Sequence, residues 1–436
     1  MTSTIMIDSI PEYYSELTGR AYKTEKSKKI AESKHLTRLA RKGKRAVTIE
    51  LGIDDTYAKP KKPLLEQLFI ESKWITNDII HHLETDNGKL KDWDYTKKSV
   101  TVRMGKDSNT YEDRELTILP SAVKQSLRDR TGDNLSSLHV LKENNHKVGA
   151  LKYVKSVDSI PLRKIGNDYN LDTDNRKIYI ARIGWLKVHG LKQLPQDADI
   201  ANAVFLKTPR GYVLKVTYYD DPIMYSFTPG TIVGLDFGVK TFLTSSDSLE
   251  YTNSIPPTPR LKNLQRKLSR QKKGSNNYIK TVCAIQKCYH DISNQKDDLA
   301  NKLVNFLLNT YEIIVMQDES LKAWQRLWGK KLHHALLGRV KKKLKDHPRV
   351  VILSKWAPTT QWCPCCEKLN KHGLDKRTYS CACGYSEDRD LHAAKNMIRL
   401  AVLKPELRMT NQELDLLWVY GSYPDLLTPS VGCAGV

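Results

Sequence analysis

Residues 234–240 read Gly-Leu-Asp-Phe-Gly-Val-Lys (GLDFGVK) and place a carboxylate, Asp236, just after the apolar pair Ile232 and Val233. A buried strand would ordinarily carry another β-branched or aromatic residue there. Taken alone, Asp236 and its flanking glycines read as a turn. The longer stretch 231–246 (TIVGLDFGVKTFLTSS) reads as a hairpin that opens a second domain near Pro229. Downstream, residues 311–320 (YEIIVMQDES) form an apolar strand running into Gln317, Asp318 and Glu319, and residues 349–355 (RVVILSK) form a third. Helical stretches separate these strands, and DRDLHAAKNMIRLAVL (388–403) is a final amphipathic helix. Strands alternating with helices imply an α/β layer with parallel pairing.

Three carboxylates then fall at the ends of core elements: Asp236 on the first strand, Glu319 beyond the second, and Asp390 at the head of the last helix. Neighbouring strand ends and a helix crossing them can converge on one point. Converging carboxylates raise each other's pKa unless cations neutralise them. Hard divalent cations such as Mg²⁺ take oxygen ligands. Two such ions about 4 Å apart activate a water and stabilise the leaving oxygen in phosphodiester cleavage.

Between the third strand and the last helix lies WCPCCEKLNKHGLDKRTYSCACGYSEDRD (362–390), with five of the chain's eight cysteines. Two close cysteine pairs on either side of a loop read as a tetrahedral Zn²⁺ site, since thiolates hold zinc firmly and a small ribbon lacks a core of its own. The preferred ligands are Cys363, Cys366, Cys381 and Cys383. The second pair is C-x-C, so Cys365 and His372 stand as alternates. Cys283, Cys288 and Cys433 read as plain thiols.

The chain has 436 residues with 71 Lys+Arg against 49 Asp+Glu, a net charge of +22. That length predicts two or three domains, and the charge predicts a polyanionic partner. The run Arg260–Lys273 (RLKNLQRKLSRQKK) holds no acid and repeats Leu261, Leu264 and Leu268 at helical spacing. It offers Arg260, Arg266, Arg270, Lys272 and Lys273 to phosphates. A second basic run, 322–349, adds Arg326, Lys341 and Lys342, with Trp324, Trp328, His333 and His334 interleaved. A third spans Lys23–Arg45. No apolar run reaches membrane-spanning length and the first residues lack a secretory pattern, so an intracellular, cytoplasmic protein with reduced thiols is expected. Before the second domain, residues 44–53 form a strand after a mobile basic start. An amphipathic helix follows over 62–83, with Leu65, Leu68, Ile75 and Ile79 on one stripe, and strands dominate from about residue 145 to 228.

GLDFGVK, the acidic QDES after an apolar strand, and the cysteine ribbon followed at once by DRDLHAAKNM resemble the nuclease half of TnpB proteins, the RNA-guided endonucleases of insertion sequences related to compact type V CRISPR effectors. The resemblance is strong over about 229–402 and looser over 60–228. It implies an RNase H-like (RuvC) domain over 229–409 with a zinc ribbon inserted at 356–387. It further implies a β-barrel wedge domain over 1–60 and 141–228, a helical recognition lobe over 61–140 and a tail over 410–436. The catalytic acids map onto Asp236, Glu319 and Asp390, with two Mg²⁺ ions; Asp318 rivals Glu319, and Asp388 rivals Asp390 unless it caps the helix. Arg389 would contact a phosphate or the acids and His392, with Asn396 on its face, would position water, each with a packing or surface role as the alternative reading. A guide RNA and a target DNA are the implied partners. A nuclease-inactive RNA-guided repressor, or a transposase joining strands itself, are the alternatives.

Overall fold

The computed structural model describes residues 13–85, 89–103, 110–238, 241–251, 255–334, 336–373, 376–409 and 418–427. The chain divides into two compact units, Met1–Ile223 and Met224–Val436. Among the described residues no helix is long and apolar enough to cross a membrane.

The first unit is built on seven antiparallel strands curled into a near-closed barrel. Their order across the sheet is Ser159–Leu162, Asp199–Thr208, Gly211–Asp220, Arg45–Ile53, Gly184–His189, Lys177–Ile180 and Tyr169–Asp172. Two long helices, Lys62–Thr85 and Ser121–Glu143, lie in sequence between the strand Arg45–Ile53 and the rest. The expected stripe Leu65, Leu68, Ile75 and Ile79 is buried in the unit's core, where Phe69, Phe205 and Tyr212 stack with ring centres 5.5–6.0 Å apart. Within the basic start, Thr24 caps a helix over Glu25–Ala40 in which no residue is buried. Arg41 beyond it forms a two-pronged bond to Asp199 and lies over the Tyr219 ring.

The second unit holds a five-stranded mixed sheet ordered Glu250–Tyr251, Leu243–Ser245, Thr228–Phe237, Tyr311–Gln317 and Val350–Leu353. The hairpin strands run antiparallel, whereas the last three are parallel, with Leu235 opposite Met316 and Gln317 opposite Leu353. Side chains alternate across a strand. Val233, Leu235 and Phe237 therefore face one apolar layer with Leu303, Leu307 and Val340 of the helices Asn276–Thr310 and Leu337–Lys345. Ile232, Val315 and Leu353 face the other, against Met397, Ile398 and Ala401 of the closing helix Arg389–Leu403. Part of the expected tail belongs to this layer, since Val419 and Leu427 are buried in it.

Gly234 fixes how closely that helix packs. A Cβ at position 234 would collide with the Ala394 carbonyl oxygen and lie 3.3 Å from Ile398 Cγ1. Asp236, two residues on, shares this face, and Asp390 stands one helical turn before Ala394. The glycine thus brings the strand end and the head of the helix together.

Candidate functional site: an acid cluster beside a cysteine ribbon

Asp236 is the penultimate residue of the strand Thr228–Phe237 and shares the face of Gly234, which the closing helix covers. Burial pushes its carboxyl well above the usual carboxylate range; the negative charges of Glu319 and Asp390 add to the rise, and Arg389 and Lys341 oppose it. Asp236 therefore lies within electrostatic reach of both Glu319 and Asp390. Glu319 is also raised, first by burial, with Lys341 pulling back and Asp318 adding repulsion.

The rival acids occupy different positions. Asp318 continues the sheet through its N–H, which donates to Leu353 O at 2.9 Å, and its partly exposed carboxylate faces Lys345 Nζ at 4.0 Å. Asp388 caps the closing helix, accepting from the N–H groups of Asp390 and Leu391 at 2.9 and 3.1 Å. Asp390 is held instead by side chains. Arg377 Nη1 donates to its Oδ2 at 3.1 Å, and Arg389 Nε and Nη2 donate to Oδ1 at 3.2 and 3.1 Å. Gln317 is committed to packing, donating to Ser354 O and Ala357 O and accepting from Thr359 Oγ1.

Lys341 is not on the surface with the other expected phosphate contacts. It is 8% exposed, and its Nζ donates to Gln317 O at 2.7 Å and to Glu319 Oε2 at 2.6 Å. Its position, four residues after Leu337 and three before Leu344, puts it on the inward stripe of its helix. That phase is the signal in the sequence that a count of basic residues missed. Arg377 was also missed; nothing local marks it, because its contact to Asp390 is made by tertiary structure.

Cys363, Cys366, Cys381 and Cys383 converge, with all four sulfurs within 4.8 Å of one another. They are the one such group of three or more His, Cys, Asp or Glu ligands among the described residues, and Asp236, Glu319 and Asp390 do not meet that spacing. The sulfur pairs Cys363–Cys383 and Cys366–Cys381 stand 3.6 and 3.5 Å apart. A tetrahedral Zn²⁺ with its usual thiolate bonds needs edges of about 3.8 Å, so the quartet fits. Cys365 and His372 are outside it. The C-x-C pair reaches the site because Gly384, at φ 92°, turns the chain tightly behind it, with Cys381 N–H donating to Tyr385 O. Cys283 is exposed and Cys288 buried; Cys433 lies outside the described residues.

The ribbon leads straight to the acids. Its hairpin pairs Thr378–Ser380 with Ser386–Asp388, the Cys381–Gly384 turn lies at one end, and Arg377, Arg389 and Asp390 lie at the other. His392, expected to position water, is fully buried. It stacks on Tyr379 at 3.8 Å and pairs with Asn396, which also donates to Thr359 O and Trp362 O. Burial holds its pKa down at about 4, so it is neutral and locks the ribbon base to the helix.

The basic segments separate by orientation. Leu261, Leu264 and Leu268 of the helix Pro259–Ser269 dock on Ile285, Cys288 and Ile292, leaving Arg260, Arg266, Arg270, Lys272 and Lys273 exposed. Arg326 and Lys342 are exposed as well. Trp324 is half-buried against the core, while the side chains of Trp328, His333 and His334 lie outside the described residues. In the first unit, Lys34, Arg38, Arg41 and Lys42 line a groove of about 680 Å³ with Tyr219.

Comparisons with known proteins agree with the motif resemblance. Residues 216–322 match the family model OrfB_IS605, "Probable transposase", and residues 333–397 match the Cas12f1-like TNB domain. A "Putative RNA-guided DNA endonuclease" of Streptomyces pristinaespiralis is 24% identical over 49% of this chain and 56% of its own. The "Putative RNA-guided DNA endonuclease InsQ" of Escherichia coli K12 is 27% identical over 34% of this chain and 37% of its own. The chain thus spans about half or less of the length of these relatives. A solved Cas12f1-sgRNA-target DNA complex contains a chain that superposes with a TM-score of 0.48 and 14% identity, covering 81% of this chain and 99% of that one.

Proposed function

We propose that this chain, carrying the OrfB_IS605 and Cas12f1-like TNB domains, is an RNA-guided DNA endonuclease encoded by a transposable element. The second unit is its RNase H-like (RuvC) nuclease domain, with the cysteine quartet holding a structural Zn²⁺ in the inserted ribbon. The first unit serves as wedge and recognition parts that grip a guide RNA scaffold and duplex DNA. By analogy with RNA-guided effectors, base pairing reads the target and the protein reads a short flanking motif.

The observation that carries this reading is the close packing of Gly234 on the Ala394 carbonyl, which brings the strand end bearing Asp236 to the helix head bearing Asp390, where burial and the charges of Glu319 and Asp390 raise the Asp236 carboxyl. Such a group is poorly stabilised without cations, and the oxygen donor set suits Mg²⁺. Divalent ions bound there would supply an activated water and offset charge on the leaving oxygen. Asp236, Glu319 and Asp390 would hold them, while Asp388 is spent on the helix cap and Asp318 faces outward. Arg377 and Arg389 fix the Asp390 carboxylate at the ribbon base. The exposed bases of the helix Pro259–Ser269 bind phosphates.

The test is to purify the protein with its co-expressed flanking locus, sequence the retained RNA, and challenge a plasmid carrying the matching target. A discrete RNA and cleavage in Mg²⁺ but not in EDTA are expected. Tight target binding with no cut strand in Mg²⁺ would instead identify an RNA-guided repressor.

A further inference from the structure

We infer that Lys341 is a built-in cation that occupies Glu319 in the metal-free protein and releases it when a divalent ion binds. This inference rests on the metal site proposed above.

Lysine is almost never fully buried unless paired. Lys342, Lys343 and Lys345 on the same helix all reach solvent, yet Lys341 turns inward. Its ammonium lies 5.3 Å from the centre of the Phe237 ring, the residue after Asp236, so its charge enters the acid cluster from the side of the sheet that packs against its helix. Arg377 and Arg389 approach Asp390 from the ribbon. Lys341 is the cation bonded to Glu319, at 2.6 Å.

The two bonds of the ammonium differ in kind. Gln317 O belongs to the sheet backbone and is fixed; Glu319 is a side chain on the segment leaving the strand. An ammonium has three donors, so losing Glu319 does not strand Lys341, which keeps its anchor on Gln317 O. A carboxylate oxygen held at 2.6 Å by an ammonium offers that lone pair to no metal. A divalent ion brings twice the charge to the same acids and wins the exchange, but its apparent affinity is reduced by the competitor it displaces.

The test is calorimetric titration of Mg²⁺ into the metal-free full-length protein, with thermal melts in EDTA and in Mg²⁺. Lys341→Met is expected to bind Mg²⁺ roughly tenfold more tightly, as expected for removing one positive charge several ångströms from a divalent ion. It is also expected to melt lower in EDTA and to gain more from Mg²⁺ than the wild type. Lys341→Arg keeps the charge and should titrate like the wild type. Lys341→Gln, which keeps a donor for Gln317 O without the charge, gives the same comparison if Lys341→Met does not fold. Unchanged or weaker Mg²⁺ binding in the uncharged variants would overturn the inference while leaving the acid site standing. A wild-type protein that binds no divalent ion would overturn the acid site itself.

Discussion

Arg377 reaches from the base of the cysteine hairpin to Asp390 at the head of the closing helix, with its Nη1 3.1 Å from Oδ2. The same base is tied by backbone, since Arg389 N–H donates to Arg377 O at 2.8 Å, and by Arg389 Nη1, which donates to Lys376 O at 3.0 Å. The hairpin that presents Cys381 and Cys383 is thus in register with one of the three acids.

This coupling predicts that zinc is needed for more than the fold of the ribbon. Cys381→Ser should lower bound zinc, measured by atomic emission, from about one ion per chain to a small fraction. Cleavage should fall with it, while melting of the first unit should be unchanged. Full zinc content in Cys381→Ser would remove that cysteine from the ligand set.

Gly234 is a second sensitive point. Gly234→Ala forces a methyl group into the Ala394 carbonyl. Overpacking of this kind typically costs about 1–3 kcal/mol, and here backbone, not a flexible side chain, must yield. Denaturant unfolding should show a loss of at least that size, with cleavage lost because the helix head moves away from the strand end. A variant of wild-type stability and activity would mean that the helix is not held against this strand.

Asp236 sets a pH dependence of stability. Its folded-state pKa is raised above the unfolded value, so the folded protein binds the proton more tightly than the unfolded chain. Its contribution favours folding below the ordinary carboxylate range, near pH 4, and is lost as pH rises through the folded pKa. In EDTA at neutral pH, Asp236→Asn should therefore melt a few degrees higher than the wild type, at roughly 2–4 °C per kcal/mol for a unit of this size. Mg²⁺ should narrow or reverse that gap. A lower melting point for Asp236→Asn in EDTA would contradict the desolvated-acid reading.

The exposed bases of the helix Pro259–Ser269 carry a salt test. Each phosphate contact contributes about 0.7–0.9 to the slope of log affinity against log salt. Neutralising Arg266 and Arg270 together should flatten the slope for nucleic acid by about 1.4–1.8 if both make contacts. An unchanged slope would return the helix to an ordinary solvated face.

Much of this arrangement was legible in the sequence because it follows from period and spacing. The apolar runs at 311–317 and 350–353 dictated buried parallel strands. Leu261, Leu264 and Leu268 dictated which way the basic helix faces, and paired cysteines across a loop dictated the quartet. Helix phase could also have taken Lys341 out of the surface set, since it shares a stripe with Leu337 and Leu344. His392 left two readings open in the sequence, water positioning or packing, and only the packed structure, which brings Tyr379 onto its ring, favours packing. The Arg377–Asp390 contact carries no local signature, because two segments 13 residues apart meet only once the hairpin has closed.

The most direct measurement is target cleavage by the RNA-loaded protein in Mg²⁺, run beside target binding, for the wild type and for Asp236→Ala, Glu319→Ala and Asp390→Ala. Each substitution should abolish cutting, since it removes a group that would hold the reacting metal, while target binding is retained. Cutting at the wild-type rate by any one of the three variants would contradict the claim that these acids form the metal site.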